Sequence, residues 1–211
     1  MKAIIYDFDG VICDSVDVKT KAFAQIYQQY GDEVVKKVIN HHLENGGISR
    51  FKKFIHYHKE FLNLNLNERQ LELLVNKFSD LVKLKVIESD YIKGAYNFIQ
   101  NNNYLQFICT GTPEDEIFEI INKKKLSSFF NDIYGSPRSK PEIIEIILSK
   151  YNLCVEDVVF FGDALTDYNA ALQCDIPFIG IKNDFTVFPK KTNLINHFED
   201  IKLVSFLKNI K

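Results

Sequence analysis

Short apolar runs alternate with longer stretches of helical period along much of this chain. The run Ala3–Tyr6 is rich in isoleucine and ends in a glycine turn, which predicts a strand buried on both faces of a sheet. Similar runs occur at 104–109, 132–135, 157–163 and 177–180, with helical patterns between them. Strands that alternate with helices are typical of a doubly wound parallel sheet.

Residues 15–85 interrupt this alternation. Apolar residues in this region recur at helical spacing, as in Phe23 to Tyr27, and no strand pattern appears. The predicted fold is therefore α/β, a doubly wound (Rossmann-like) parallel sheet with an inserted all-helical cap domain. The sheet domain would comprise residues 1–14 and 86–211, and the helical insert would stand over the end of the first strand, where it could act as a lid.

Two aspartates follow the first strand directly. Asp7 and Asp9 lie at its carboxyl end, the edge of a parallel sheet where ligands bind. Because two carboxylates one residue apart repel each other, they need a positive partner, most simply a divalent cation. The strand end therefore predicts chemistry that involves a metal or an anion.

The second strand also ends in groups that suit an anion. In "ICTGTPEDE", Thr110 offers a hydroxyl and Gly111 an unobstructed backbone N–H. A helix is expected to follow, with Thr112 as its N-cap and Pro113 at its first position. This segment predicts an anion-binding strand end.

Two further segments complete the pattern. In "SPRSKPEII", Ser139 and Glu142 have capping-box spacing, which would place Lys140 in a first helical turn with its ammonium toward the crevice. In "FFGDALTD", Asp163 and Asp167 supply more carboxylates for a cation. All four segments follow strands of one predicted sheet, so we expect them to converge.

Together these segments resemble the four motifs of the haloacid dehalogenase-like superfamily of phosphotransferases. The helical insert also resembles that of the subfamily containing phosphoglycolate phosphatase and β-phosphoglucomutase. One departure is the second motif, Thr-Gly-Thr, where many relatives have Ser or Thr followed by Asn or Ser. The matching residues are Asp7-Phe8-Asp9-Gly10, Thr110, Lys140, Gly162-Asp163 and Asp167.

The resemblance implies catalytic roles for the first two aspartates. Asp7 would attack phosphorus and form an aspartyl-phosphate, while Asp9 would protonate the leaving oxygen and then deprotonate water. Thr110, the Gly111 N–H and Lys140 would bind the phosphoryl oxygens. An aspartate two residues after the nucleophile also indicates phosphate esters as substrates.

A Mg²⁺ cofactor is implied by the same resemblance. Its predicted ligands are the Asp7 carboxylate, the backbone carbonyl of Asp9 and the Asp163 carboxylate, with Asp167 in support of the site. Phosphate binding and metal binding would then occur at one edge of the sheet.

Substrate identity would depend on the helical insert. In "ENGGISRFKKF", Gly47 lies in a turn, and Arg50 and Lys53 lie at a helix start. We expect these three residues to determine specificity. Arg50 would contact an anionic part of the substrate, although an exposed arginine at a helix end explains the pattern equally well.

Amino-acid composition and net charge limit the binding partners that we expect for this chain. The chain has 211 residues, 46% of them hydrophobic, and a formal net charge of -2, which gives no electrostatic reason to expect nucleic acid or an anionic membrane. Neither a signal peptide nor a membrane span is apparent. The expectation is a cytoplasmic monomer or homodimer that acts on a small phosphorylated metabolite.

Cysteines and histidines suggest no further metal site. The four cysteines lack C-x-x-C spacing, so buried reduced thiols are expected. His41 and His42, like His56 and His58, do not share a helix face, so we expect them to lie at the surface or to pack between the helical insert and the sheet domain.

Three functions remain open. The first is a Mg²⁺-dependent phosphatase for a sugar phosphate, phosphorylated sugar acid or phosphoglycolate-like monoester. The second is a sugar phosphomutase of the β-phosphoglucomutase type. The third belongs to another class, a phosphoryl-accepting receiver or binding module, which leaves the helical insert and the second acidic pair without a role.

Overall fold

Six parallel strands form one sheet in the computed structural model, which describes residues 1–210. The strands are β1 Ala3–Tyr6, β2 Leu105–Pro113, β3 Asp132–Ser136, β4 Val158–Gly162, β5 Phe178–Ile181 and β6 Asn193–Ile195. Their order across the sheet is β3-β2-β1-β4-β5-β6, and every neighbouring pair is parallel. The predicted α/β fold is confirmed.

Helices connect the strands along the chain, and the longest connection joins β1 to β2. Four of them, α1–α4, lie between β1 and β2 in the chain and form the helical insert; a π-helical segment, Tyr57–Phe61, extends α3. The helices are α1 Val16–Tyr27, α2 Asp32–Glu44, α3 Arg50–His56, α4 Glu68–Glu88, α5 Ala95–Gln100, α6 Glu114–Lys123, α7 Lys140–Lys150, α8 Leu165–Gln173 and α9 Lys202–Asn209.

The central strands are buried on both faces, as their apolar sequence predicts. Ile4 and Tyr6 of β1 pack in one hydrophobic cluster, whereas Ala3 and Ile5 pack in another on the opposite face. This alternation is the period of two expected for a strand. All four residues are fully buried, so β1 is fixed from both sides and holds the residue that follows it.

The strand order places Asp7 at the switch point of the sheet. After β1 the chain continues to β2 on one side, and β4 later pairs with the other side of β1. The crevice at such a reversal is the usual ligand site of an open α/β sheet. The Asp7 N–H donates to the Phe161 carbonyl at 2.9 Å, which ties this residue to β4.

The start of α6 differs from the prediction. β2 continues through Thr112, and α6 begins at Glu114 with Pro113 in the N-cap position. The prediction of Thr112 as N-cap was therefore wrong. The Thr112 hydroxyl instead donates to the Asp9 carboxylate at 3.2 Å, a bond that favours the extended backbone.

The C-terminal region contains two further differences. β6 is only three residues long, and its pattern was too short to predict. The amphipathic pattern near His197 to Leu207 predicts a final helix. This helix begins only at Lys202, because the Asp200 side chain accepts hydrogen bonds from the Asn196 and Lys202 N–H groups and holds the preceding residues in a turn.

The helical insert meets the sheet domain along α1, α3 and α4. The division of the chain at residues 15 and 85 stays a prediction, and α4 itself continues to Glu88.

None of the helices within residues 1–210 combines the length and the apolar character that crossing a membrane requires. All four cysteines are free thiols, but only Cys13 and Cys109 are buried; the expectation of burial was wrong for Cys154, which is exposed, and for Cys174, which is half-buried.

Candidate active site

The four strand-end segments converge around one lysine. The Lys140 ammonium lies 2.8 Å from Asp7 Oδ2 and also forms an ion pair with Asp167. All three side chains are buried. Although burial alone would lower it, the charges of Asp167 and Asp7 raise the pKa of Lys140 above its usual range. Lys140 is therefore a permanent positive charge beside Asp7.

A capping box holds Lys140 in place, as predicted. Ser139 is the N-cap of α7, its hydroxyl accepts from the Glu142 N–H, and the Glu142 carboxylate accepts from the Ser139 N–H. Lys140 is thus the first residue of a helix with a fixed start. Its side chain extends from that start across the end of the sheet.

Asp7, Asp163 and Asp167 form a cluster of buried carboxylates. Each offers an oxygen within 4.8 Å of the other two. Burial, followed by repulsion from Asp167 and Asp7, raises the pKa of Asp163 well above its usual value, and burial also raises the pKa of Asp167. Crowded oxygen donors of this kind suit a hard divalent cation, so the donor set fits Mg²⁺.

Two glycines leave room for this cluster. Gly10 has φ +76°, and a Cβ there would lie 2.1 Å from Asp163 Oδ2. A Cβ on Gly162 would lie 2.2 Å from the Asp167 Cβ. Both contacts are too short for any side chain. The carboxylates can therefore approach the backbone only because these positions are glycine.

Asp9 is held by three side chains. Its carboxylate accepts from the Ser15 hydroxyl at 2.6 Å and the Thr112 hydroxyl at 3.2 Å, and it forms an ion pair with Lys19. Burial would raise the pKa of Asp9, but the Lys19 charge and these hydrogen bonds outweigh it and lower the pKa. Asp9 is thus an ionised carboxylate in this arrangement.

The sequence analysis missed Lys19 and the contact made by Thr112. Lys19 Nζ also donates to Thr112 Oγ1 at 2.8 Å, so it joins the helical insert to β2 as well as to Asp9. One signal was available. Val16, Lys19 and Phe23 share a face of α1, and a lysine within an otherwise apolar face suggests a buried partner.

The second strand end and the turn of the helical insert touch each other. Thr110 is buried and its hydroxyl accepts from the Thr112 N–H at 3.3 Å. A Cβ on Gly111 would lie 2.5 Å from the Gly47 carbonyl oxygen. Gly47 itself has φ +77°, and a Cβ there would lie 2.9 Å from Lys140 Nζ. The helical insert is therefore closed tightly over the strand ends.

Arg50 has a protein partner. Its guanidinium binds the Glu116 carboxylate in a bidentate ion pair at 2.5 and 2.8 Å and donates to the Ser79 hydroxyl at 2.6 Å. Both charged groups are buried. Arg50 is thus not the exposed residue that was considered, and its charge is already matched by α6.

Lys53 is also buried but pairs with no carboxylate among residues 1–210. Its ammonium lies 2.7 Å from His42 Nδ1. Burial first, and then the charge of Lys19, lower the pKa of Lys53 to about 7. The rings of His41 and His56 stack with their centroids 4.2 Å apart.

A cavity of about 680 Å³, measured with its open mouth, lies between the strand ends and the helical insert. The strand ends contribute Asp7, Asp9, Thr110 and Asp163 to its lining, and the helical insert contributes apolar side chains together with three cations. The apolar residues are Val16, Phe23, Leu43, Ile48 and Phe78, and the cations are Lys19, Arg50 and Lys53.

The amino-acid sequence identifies the protein family to which this fold and site belong. Residues 4–181 match the sequence model of the haloacid dehalogenase-like hydrolases, so the chain belongs to that family. The predicted family, and the prediction that the chain is a hydrolase, are confirmed. The receiver alternative is not supported, because the match spans the helical insert as well as every motif.

Particular relatives share most of their length with this chain. The phosphorylated carbohydrates phosphatase of Thermotoga maritima is 25% identical over 184 residues, which cover 83% of this chain and 82% of that protein. The β-phosphoglucomutase of Clostridium difficile has a TM-score of 0.82 at 19% identity, over 100% of this chain and 97% of that one. A Bacillus subtilis protein described as HAD-hydrolase YfnB bound to magnesium has a TM-score of 0.71 at 18% identity, over 96% and 97%. At these identities the two structural likenesses show the fold.

Proposed function

We propose that this protein is a Mg²⁺-dependent phosphatase that hydrolyses phosphorylated carbohydrates through an aspartyl-phosphate on Asp7. The observation that carries the proposal is the contact of 2.8 Å between Asp7 Oδ2 and Lys140 Nζ at the switch point of the sheet. Family membership and the Thermotoga maritima relative, a phosphatase of phosphorylated carbohydrates, support the same activity.

Asp7 would be the nucleophile. Its Oδ1 accepts from the Phe8 N–H at 2.7 Å, and its other oxygen is bound by Lys140, so the carboxylate has a fixed orientation. In the first step a bond forms from Asp7 to phosphorus and the ester P–O bond breaks. In the second, water attacks phosphorus, the bond to Asp7 breaks, and inorganic phosphate leaves.

Counter-charge is needed for the first step. A carboxylate and one phosphate charge repel each other by about 4 kcal/mol at 4 Å and an effective dielectric constant of 20. Lys140 would offset this repulsion, while Thr110 and the Gly111 N–H would donate to the phosphoryl oxygens. A bound Mg²⁺ would supply further positive charge; Asp7, Asp163 and the Asp9 carbonyl would hold it, with Asp167 in support.

Asp9 would be the general acid and general base of the reaction. It would give a proton to the leaving alkoxide and take one from the attacking water. Since Lys19 and two hydroxyls keep Asp9 ionised here, the carboxylate must take up a proton with the substrate before the first step. Lys19 and Thr112 keep Asp9 in reach of the cavity and so would act as positioning residues.

Release of inorganic phosphate tests this proposal. Sugar, sugar-acid and nucleoside monophosphates would be compared with Mg²⁺ or EDTA, for the wild type, Asp7→Asn and the control Asp17→Asn, which changes an exposed aspartate of α1. We expect Mg²⁺-dependent release from carbohydrate phosphates that is lost only with Asp7→Asn. Release that survives EDTA or Asp7→Asn would contradict the mechanism.

The phosphomutase alternative would give a different result in the same experiment. A mutase returns the phosphoryl group to a sugar hydroxyl, so it would release little phosphate, accumulate phosphorylated Asp7 and be stimulated by a bisphosphorylated sugar. Mass spectrometry of the protein after incubation with substrate would detect this species. Its accumulation without phosphate release would replace the phosphatase proposal with a mutase.

A further inference from the structure

Three cations of the helical insert line the cavity at the strand ends, and two of them are matched by carboxylates. Lys19 pairs with Asp9, and Arg50 pairs with Glu116. The third, Lys53, forms no ion pair with any carboxylate among residues 1–210, although its exposed fraction is only 2%. A buried ammonium without an anion is costly, so this position suits a ligand that brings the negative charge.

His42 fixes the Lys53 ammonium at one side of the cavity. The Nζ atom lies 2.7 Å from His42 Nδ1 and 3.4 Å from the His42 carbonyl oxygen. Burial, and then the charge of Lys53, lower the pKa of His42 well below its usual value. The ring is therefore neutral, and its Nδ1 accepts a hydrogen bond from the Lys53 ammonium. An ammonium has three donors, so at least one N–H of Lys53 remains for a ligand.

We propose that the Lys53 ammonium, held by His42, binds a second anionic group of the substrate, a carboxylate or a second phosphate. The preferred substrates would then be phosphorylated carbohydrates that carry a negative charge besides the phosphoryl group to be removed. This inference rests on the proposed phosphatase function and names its substrate class. It gives to Lys53 the role that the sequence suggested for Arg50.

An apolar part of the cavity wall lies between the Lys53 ammonium and the reacting centre. Lys19, at Asp9, and Phe23 are four residues apart on α1, which is about 6 Å along the helix axis. Lys53 Nζ lies 5.8 Å from the centre of the Phe23 ring. Phe23 and Phe78, whose rings are 4.3 Å apart, give this part of the cavity an apolar surface. A carbon skeleton between two charged ends fits such a wall.

The charges around Lys53 fit an incoming anion. Lys19 and Lys140 repel its ammonium, whereas Asp163 and Asp9 attract it, and burial acts more strongly than any of them. The two acidic residues are engaged by other groups, since Asp9 pairs with Lys19 and Asp163 belongs to the carboxylate cluster. An anion at Lys53 would therefore meet an available positive charge.

Matched substrate pairs test this inference. Specificity constants, kcat/KM, would be measured for 3-phosphoglycerate against glycerol 3-phosphate, and for 6-phosphogluconate and glucose 1,6-bisphosphate against glucose 6-phosphate. Each pair differs by one anionic group. The enzymes would be the wild type, Lys53→Met and the control Lys59→Met, which removes the same charge from an exposed position shortly after α3.

We expect the wild type to prefer the anionic member of at least one pair by about tenfold or more, and Lys53→Met to reduce that ratio by at least about tenfold. Lys59→Met should keep the wild-type ratio. A loss confined to the sugar acids assigns the site to a carboxylate, and a loss confined to the bisphosphate assigns it to a phosphate. Both members of a pair are measured on one sample, so partial unfolding cancels from the ratio.

Two results would overturn the inference. One is a wild type without preference for any anionic member, and the other is an unchanged ratio in Lys53→Met. Either of these, with hydrolysis still lost in Asp7→Asn, would reject the Lys53 site alone. Hydrolysis that persists in Asp7→Asn would reject the proposed function itself.

Discussion

The Lys19 ammonium bridges the Asp9 carboxylate and the Thr112 hydroxyl, although the three residues belong to different elements. Lys19 is on the first helix of the insert, Asp9 follows β1, and Thr112 is near the end of β2. The position of the insert and the charge on Asp9 are therefore coupled. If the insert moved away from the sheet, Asp9 would lose its counter-charge.

Replacement of Lys19 tests this coupling. Lys19→Met removes the ammonium that keeps the Asp9 carboxylate in reach of the cavity, so we expect kcat/KM for phosphate release to fall by about tenfold or more. Lys19→Arg, which keeps the charge, should retain more activity. Lys21→Met is the matched control, because Lys21 is exposed on the same helix. Equal activities of Lys19→Met and Lys21→Met would contradict the role given to Lys19.

The Arg50–Glu116 ion pair predicts a large effect on stability. Arg50→Met leaves the Glu116 carboxylate buried and unpaired, which should lower the free energy of unfolding by about 3–5 kcal/mol in urea denaturation. The double variant Arg50→Met/Glu116→Leu should lose less than the sum of the single changes, since no charge is left alone.

An exposed ion pair that also joins the helical insert to α6 provides the control. Lys83 of α4 and Glu119 of α6 lie 2.8 Å apart but are both substantially exposed. Solvent screens such pairs, so Lys83→Met should change the unfolding free energy far less than Arg50→Met. Comparable losses in the two variants would show that burial does not determine the strength of the Arg50–Glu116 contact.

Lys53 should make stability depend on pH. Burial, then Lys19, lower its pKa from 10.5 to about 7, so the unfolded chain binds one more proton than the folded protein between these values. Stability should rise with pH across this window, and the penalty of the buried charge should be full below about pH 7. The groups that act on this lysine are Lys19, Asp163, Asp9, Lys140 and His42.

The measurement compares melting temperatures of the wild type and Lys53→Met. Because methionine carries no charge, the variant should gain stability relative to the wild type at about pH 6, and this gain should shrink toward pH 10. The difference between the two proteins removes the titration of groups that they share. A gain that is equal at both pH values would contradict the lowered pKa.

Gly47→Ala should reduce activity through Lys140. The position has φ +77°, and the added Cβ would lie 2.3 Å from Thr166 Oγ1 and 2.9 Å from Lys140 Nζ. Gly31→Ala is the matched control. Its φ is +90°, but a Cβ there meets nothing within 4 Å. Both variants carry a backbone strain of about 1–3 kcal/mol, visible as a lower melting temperature. Only Gly47→Ala should lower kcat, and equal kcat values would contradict this prediction.

Local patterns in the sequence were sufficient for much of the fold. The apolar run before Asp7 and the capping box at Ser139 depend on neighbours in the chain, and both appear as predicted. These local signals place Asp7 after the end of β1 and Lys140 at the start of α7. The parallel order of the strands then brings them together without further information.

Contacts between distant residues could not be predicted in the same way. Thr112 followed by Pro113 is a sequence typical of a helix start. The hydrogen bond from Thr112 to Asp9 joins residues 103 positions apart, however, and keeps the backbone extended. Arg50 resembled an exposed helix end because Glu116, its partner, lies 66 positions away. Asp9 and Glu116 are both present in the sequence, but no local pattern indicates that they contact Thr112 and Arg50.

Gly111 determines how closely the two halves of the molecule can approach. The Gly47 carbonyl oxygen lies 2.5 Å from the point where a Cβ on Gly111 would be. Any larger residue would separate the turn of the insert from the end of β2 and admit bulk water to the strand ends. The dehydration of the reacting phosphoryl group, and with it the strength of every charge interaction there, therefore depends on a position that contributes no side chain.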